Sequence, residues 1–288
     1  MNSFHVSVLL KEIIEGLRIE EGKKYIDATL GGGGHSFEIL KQGGIVLGID
    51  VDQDAIDHVK LKVKSEKLKV MKGNFRDIDK IAHLNNFEKV SGIIFDLGVS
   101  SHQLGKGERG FSFQKEGPLD MRMDHELGVR AMDLLKILTK GELYEIFTKF
   151  GEENRAWAVS SRIVSARKMK PIETTKDLVG VIGGSRPGGI HAATKVFQAL
   201  RIAVNDELGS LEEALPKAIR LLEKNGRLAV ISFHSLEDRI VKRSFISFGN
   251  MKLGKIITKK PIVASQDEVE KNRKSRSAKL RIFEKLTN

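Results

Sequence analysis

One stretch constrains this chain more than any other. Residues 25–35, YIDATLGGGGH, carry a short apolar strand into four consecutive glycines and out into a helical pattern. Glycine lets a backbone take positive φ angles and lie close to a ligand. Open α/β sheets bind ligands beyond the carboxyl ends of their strands. A strand–glycine–helix unit near the start of a chain therefore predicts a sheet built around that loop.

The surrounding pattern agrees. An amphipathic helix is expected over residues 6–17 and a strand over 24–28. A helix starts at 36–41 and an apolar strand covers 44–49. Helix 54–63, strand 68–71, helix 76–84 and strand 90–95 follow. Strands that alternate with helices pair in parallel, and strands buried on both faces read as apolar runs. From 109 to 205 the strand signal is missing. Helices are expected at 129–138, 141–150, 152–169 and 175–182, with a loop at 183–189 (GGSRPGG). A long helical run over 192–222 should break at Gly209 or Pro216. A strand returns at 227–233 after the turn Asn225-Gly226, with two more at 255–259 and 279–283. The expected fold is α/β, a Rossmann-like sheet interrupted by an all-helical subdomain. Its core spans 1–108 and 206–288, and the insertion 109–205.

Composition narrows the function classes. The chain has 288 residues, no cysteine and a net charge of +11. Disulfides and thiolate metal sites are thereby excluded. No apolar run reaches the roughly 20 residues a membrane helix needs, and the first residues do not read as a secretory signal. The expected location is the cytoplasm. The positive field attracts polyanions.

Asp50 follows the second strand, where a carboxylate can accept both hydroxyls of a ribose. With the glycine loop this implies an adenosine-containing ligand. NAD and S-adenosylmethionine both meet that geometry. Asp27, just before the glycines, repels a pyrophosphate but suits an ammonium or sulfonium, which favours the methyl donor. Asp96 ends the fourth strand. An acceptor there can localise the lone pair of an exocyclic amine and align it with a methyl group. Capping of the next turn is the alternative use of Asp96.

Several blocks resemble one family. They are HVSVLL at 5–10, residues 27–36, DLGVSS at 96–101, RGFSF at 109–113, GPLDMRMD at 117–124 and GEE at 151–153. Further along come FQALRIAVNDEL at 197–208, ISFHSLEDR at 231–239 and SRSAKLR at 275–281. Together they are similar to the bacterial small-subunit ribosomal RNA methyltransferase H family, also called MraW. The resemblance implies a class I methyltransferase sheet and S-adenosyl-L-methionine as cofactor. The implied contacts are Gly33, Gly34, His35, Asp50, Phe75, Asp96 and Gln103. It also implies methylation of the exocyclic N4 of a cytosine in the decoding region of 16S RNA. Two departures stand out: Ser7 replaces a usual proline, and Arg273-Lys274 a usual Pro-Arg.

Ribosomal RNA or the 30S particle is the expected partner, and the sequence leaves monomer and homodimer open. A base inside folded RNA must be drawn out to be methylated. Arg109, Phe111 and Phe113 are candidates for lining its pocket, or else for packing the insertion. Asp120, Arg122 and Asp124 read either as a binding surface or as a salt-bridge knot. His234 is a candidate to orient the amine, and Arg276, within the basic stretch 271–281, to contact phosphate. Methyl transfer calls for neither a metal nor a covalent intermediate, and the expected metal set is none.

Overall fold

The computed structural model describes residues 7–183 and 192–288. The start of the expected first helix and most of the 183–189 loop lie outside the described residues. The chain forms two compact units: residues 1–98 with 208–288, and residues 99–207. The first boundary falls at 98/99, ten residues before the expected 108/109.

The first unit opens with α1 (Leu10–Leu17), β1 (Lys24–Asp27), α2 (Gly34–Lys41), β2 (Ile45–Asp50), α3 (Gln53–Lys62), β3 (Leu68–Lys72), α4 (Ile78–Leu84) and β4 (Val90–Asp96). The second unit contains α5 (Ser101–Gly105), α6 (Ala131–Ile137), α7 (Lys140–Lys149), α8 (Ala156–Met169), α9 (Thr175–Ile182) and α10 (Ala192–Asn205). The chain then returns through α11 (Glu207–Leu221), β5 (Leu222–Ser232), α12 (Ser235–Asn250), β6 (Gly254–Ile256), α13 (Gln266–Lys271) and β7 (Lys279–Lys285).

The strands form one seven-stranded sheet in the order β3-β2-β1-β4-β5-β7-β6. The first five in that order are parallel, and β7 runs antiparallel to both of its neighbours. This is the Rossmann-like class I methyltransferase arrangement expected above. The carboxyl ends of β1 to β5 and the amino end of β7 therefore share one edge.

Each central strand is buried on both faces. Tyr25, Val46, Ile94, Ala229 and Ile231 pack with Ile13, Leu17 and Ile39 of α1 and α2. Their chain neighbours Ile26, Leu47, Phe95, Leu228 and Val230 pack with α4, α11 and α12 on the opposite face. Side chains alternate across a strand. An apolar run with no polar alternation is what two covered faces require. The second unit has its own core, which includes Leu119, Leu143, Phe147, Ile163, Leu178 and Leu200.

Three expectations need correction. The first helix begins at Leu10, because Leu9 sits in the left-handed region at φ 51°. The long helical run breaks at Asp206, with φ 46°, and at neither Gly209 nor Pro216. Pro216 lies inside α11 and forgoes one backbone hydrogen bond there. Asn225-Gly226 does not precede the strand. It forms an irregularity within β5, where pairing passes from Val90↔Leu222 to Gly92↔Arg227 and Asn225 takes φ 67°.

Candidate active site

Three acids and a phenylalanine lie at the shared carboxyl edge of the sheet. Asp27 ends β1, Asp50 ends β2 and Asp96 ends β4, while Phe75 follows β3. Between Asp27 and α2 runs the glycine turn. Gly33 takes φ 78°, and a Cβ there would come within 2.6 Å of the Phe37 ring. A methyl at Gly34 would collide with the Ser7 hydroxyl. Helix α2 starts at this turn without a side-chain cap. Its first N–H groups and its dipole thus face the loop as an anion-attracting end.

Asp50 is held rigidly. One carboxylate oxygen accepts from the Gly31 N–H at 2.7 Å and the other from the Asp52 N–H at 2.9 Å. Burial nevertheless raises its pKa to about 6. Each oxygen has a second lone pair for a diol. Phe75 begins a 3-10 turn and meets Phe95 edge-on, with centroids 5.5 Å apart. It is only partly buried, which leaves ring surface open just past the end of β3.

Asp27 is 1% exposed and accepts from Ser36 Oγ at 2.7 Å and from the Thr29 N–H at 3.3 Å. Burial raises its pKa, against the pull of His35 and Ser36. His35 is 4% exposed and places Nε2 3.5 Å from Asp96 Oδ2. The Asp96 N–H donates to Thr29 Oγ1 at 2.6 Å, which ties the end of β4 to the residues after β1. Asp27, His35 and Asp96 are thus enclosed together, and both acids act on the imidazole. The sequence identifies each of these residues but not their coupling. Its signal was Ser36, one residue past His35 and turned back onto Asp27.

At the end of β5, His234 caps α12. Its Nδ1 accepts from the Glu237 N–H at 3.4 Å, and Nε2 lies 3.2 Å from Glu237 Oε1. Glu237, 2% exposed, also accepts from the Phe233 N–H at 2.7 Å. Arg276 is exposed on a 3-10 turn just before β7.

The other candidates lie in the second unit. Gln103 completes a capping box at α5, where Oε1 accepts from the Ser100 N–H at 2.9 Å. Arg109 is 2% exposed and donates to the carbonyls of Arg122 and Met123 at 3.1 and 2.9 Å. Its guanidinium lies 5.8 Å from the Phe111 ring centre, and Phe111 is 6% exposed within the core. Both side chains are thus engaged inside their own unit, which fits the packing role the sequence leaves open beside the base pocket. Phe113 is partly buried against Phe197. Asp120 and Arg122 form a two-pronged ion pair, each bond 2.8 Å long, and Arg122 also donates to two carbonyls. Among the described residues, no group of three or more His, Asp or Glu side chains is arranged to hold a metal ion.

Comparison with known proteins places the chain among its relatives. A Sulfurihydrogenibium protein named ribosomal RNA small subunit methyltransferase H is 46% identical, covering 98% of this chain and 99% of its own. A protein of the same name from Persephonella marina is 47% identical over the same shares. A solved rRNA methylase from Streptococcus thermophilus aligns over 98% of this chain and 99% of its own, at 12% identity and a TM-score of 0.46. The MraW methylase family matches residues 2–286, and with relatives this similar along nearly their whole length the chain belongs to that family.

Proposed function

We propose that this protein transfers a methyl group from S-adenosyl-L-methionine to the exocyclic N4 of a cytosine in the decoding region of small-subunit ribosomal RNA. Transfer is in line and passes through no covalent enzyme intermediate. Free RNA or the 30S particle in the cytoplasm is the substrate.

One observation carries the reading. A glycine turn, a rigid carboxylate at the end of β2 and a carboxylate at the end of β4 share one sheet edge. Gly33, Gly34 and His35 line the turn, Asp50 accepts the ribose diol, and Phe75 offers a face to the adenine. Asp27 and Asp96 give the neighbourhood a negative character that suits a sulfonium better than a pyrophosphate. The bound cofactor supplies an electrophilic methyl carbon. Asp96 accepts a hydrogen bond from the amine, which keeps the nitrogen lone pair free and aimed. His35 lies against that carboxylate, and the Thr29 hydroxyl holds the Asp96 backbone by accepting from its N–H. The names of the relatives support ribosomal RNA as the acceptor, as does the net charge of +11.

The test is incubation with methyl-labelled cofactor and unmodified small-subunit particles or RNA, followed by digestion and mass mapping. N4-methylcytosine at one position is expected. Label on another base, or RNA binding without label, would overturn the reading. Calorimetry with S-adenosylhomocysteine and with NAD checks the cofactor, and tight NAD binding alone would refute it.

A further inference from the structure

Six basic side chains lie between Lys271 and Arg281, and they do not form one surface. Arg281 donates to Asp238 at 2.6 and 3.1 Å, and Lys279 Nζ lies 3.7 Å from the same carboxylate. Lys271, Arg273 and Arg276 are exposed. Lys274 does neither. Its Nζ is buried and has no hydrogen-bond partner.

The backbone around Lys274 is fixed. Its N–H donates to Asn272 Oδ1 at 3.3 Å. Ser275, fully buried, donates to the Asn272 carbonyl from both N–H and Oγ, at 2.9 and 2.8 Å. Ala278 N–H closes the turn onto the Ser275 carbonyl at 3.0 Å. At the next residue β7 starts, with Lys279 paired to Ser232 of β5. The turn is thereby pinned to the carboxyl edge that carries Asp96.

A buried ammonium with no acceptor is costly, and a lysine stem is long enough to avoid that state by reaching water. Burial pulls the Lys274 pKa down to about 8, and the field of Asp96 opposes that shift. Both groups lie at the carboxyl edge of the sheet, Asp96 at the end of β4 and Lys274 on the turn that enters β7 beside the end of β5. One is a carboxylate that only accepts, and the other an ammonium that only donates.

That pair complements one base edge. Cytosine presents an amine N–H beside the ring acceptor N3, and uracil presents the reverse, a carbonyl beside an N–H. We propose that Lys274 determines specificity in this reaction: its ammonium donates to N3 of the target cytosine while Asp96 accepts from the adjacent amine. This rests on the N4-cytosine reading above. The contribution of Lys274 is register. A donor at N3 draws electron density from the amine, and the bond to Asp96 offsets that loss. The cofactor carboxylate is a less suitable partner, because the uncapped start of α2 already offers it N–H donors.

The test is a cycle between protein and substrate. Wild type, Lys274→Met and Lys274→Arg are assayed on small-subunit particles carrying cytidine or 3-deazacytidine at the methylated position. Lys274→Met should lower kcat/KM on cytidine by about tenfold to a hundredfold, the loss expected when a polar recognition pair is broken. Its affinity for S-adenosylhomocysteine should stay within about twofold of wild type. The deaza substitution should cost wild type the same factor and cost Lys274→Met nothing further. Lys274→Arg should recover part of the rate on cytidine alone. Equal rates for wild type and Lys274→Met, additive losses, or a parallel fall in S-adenosylhomocysteine affinity would each overturn the assignment. If Lys274→Met does not fold, wild type and Lys274→Arg on the two substrates still decide: a wild type indifferent to N3 refutes it. A wild type that makes no N4-methylcytosine would instead sink the underlying reading.

Discussion

His35 Nε2 lies 3.5 Å from Asp96 Oδ2, with both side chains almost wholly enclosed and Asp27 behind them. Burial alone disfavours the imidazolium. The carboxylates outweigh it and raise the histidine pKa above its ordinary value. A raised pKa contributes stability in full below the unfolded value near 6.5 and loses it as pH rises through the folded value. His35→Asn should therefore cost about 3 kcal/mol at pH 6, where it strands a buried carboxylate. The deficit should narrow at pH 9. Urea unfolding at the two pH values checks this, and a deficit that does not change with pH would show that the pair is not ionic.

Asp50 leads to an opposite pair of trends. Burial raises its pKa to about 6, against the pull of two backbone N–H donors. The native state then binds more protons than the unfolded chain between about pH 4 and 6, so the free protein gains stability as pH falls through that window. Cofactor affinity should move the other way, because only the carboxylate accepts both ribose hydroxyls well. Calorimetry with S-adenosylhomocysteine should show constant affinity above pH 7 and a fall below 6. Asp50→Asn should remove the acid limb, and Asp50→Ala should weaken binding by about 1–3 kcal/mol. An unchanged limb in Asp50→Asn would assign it to another group.

The first four strands and the loop between them were legible because each signal is local. Apolar runs such as 44–49 and 90–95 can be satisfied only by two covered faces, and four glycines after a strand admit few structures. Asp50 and Asp96 were legible for the same reason, as acids at predicted strand ends. What escaped depends on distant residues. Nothing near residue 274 separates Lys274 from Arg273 or Arg276 in the chain. Their fates diverge only when β7 enters the sheet beside β5. Arg109 and Phe111 read equally well as a base clamp and as core, and the carbonyls that take up Arg109 are supplied by Arg122 and Met123, thirteen and fourteen residues away. Pro216 was a misleading breaker, since one missing N–H is tolerated when α11 buries Leu211, Ala214, Leu215 and Ala218.

Phe111→Ala separates packing from recognition. Phe111 is buried with Leu119, Met121 and Leu135 in the helical unit. Its truncation should cost about 3–5 kcal/mol of stability, the range for emptying a core phenylalanine. Affinity for RNA, measured below the unfolding temperature and per folded molecule, should be unchanged. A stable variant with weakened RNA binding would return Phe111 to the substrate side.

Arg276 and Arg281 are five residues apart and should respond to alanine in opposite ways. Arg281 is 7% exposed and grips Asp238, whose pKa stays below the usual carboxylate range despite burial because Arg281 and Lys279 face it. Arg281→Ala should therefore lower stability by about 2 kcal/mol, the worth of charged hydrogen bonds. Arg276 is exposed, and its loss should change stability by less than about 0.5 kcal/mol. If it contacts phosphate, Arg276→Ala should weaken RNA binding at every sequence and reduce the slope of log affinity against log salt by about one. The pair is assayed by urea unfolding and by RNA titration at several salt concentrations. A slope unchanged in Arg276→Ala would remove that side chain from the interface, and the phosphate contacts would then fall to the exposed Lys271 and Arg273 beside it.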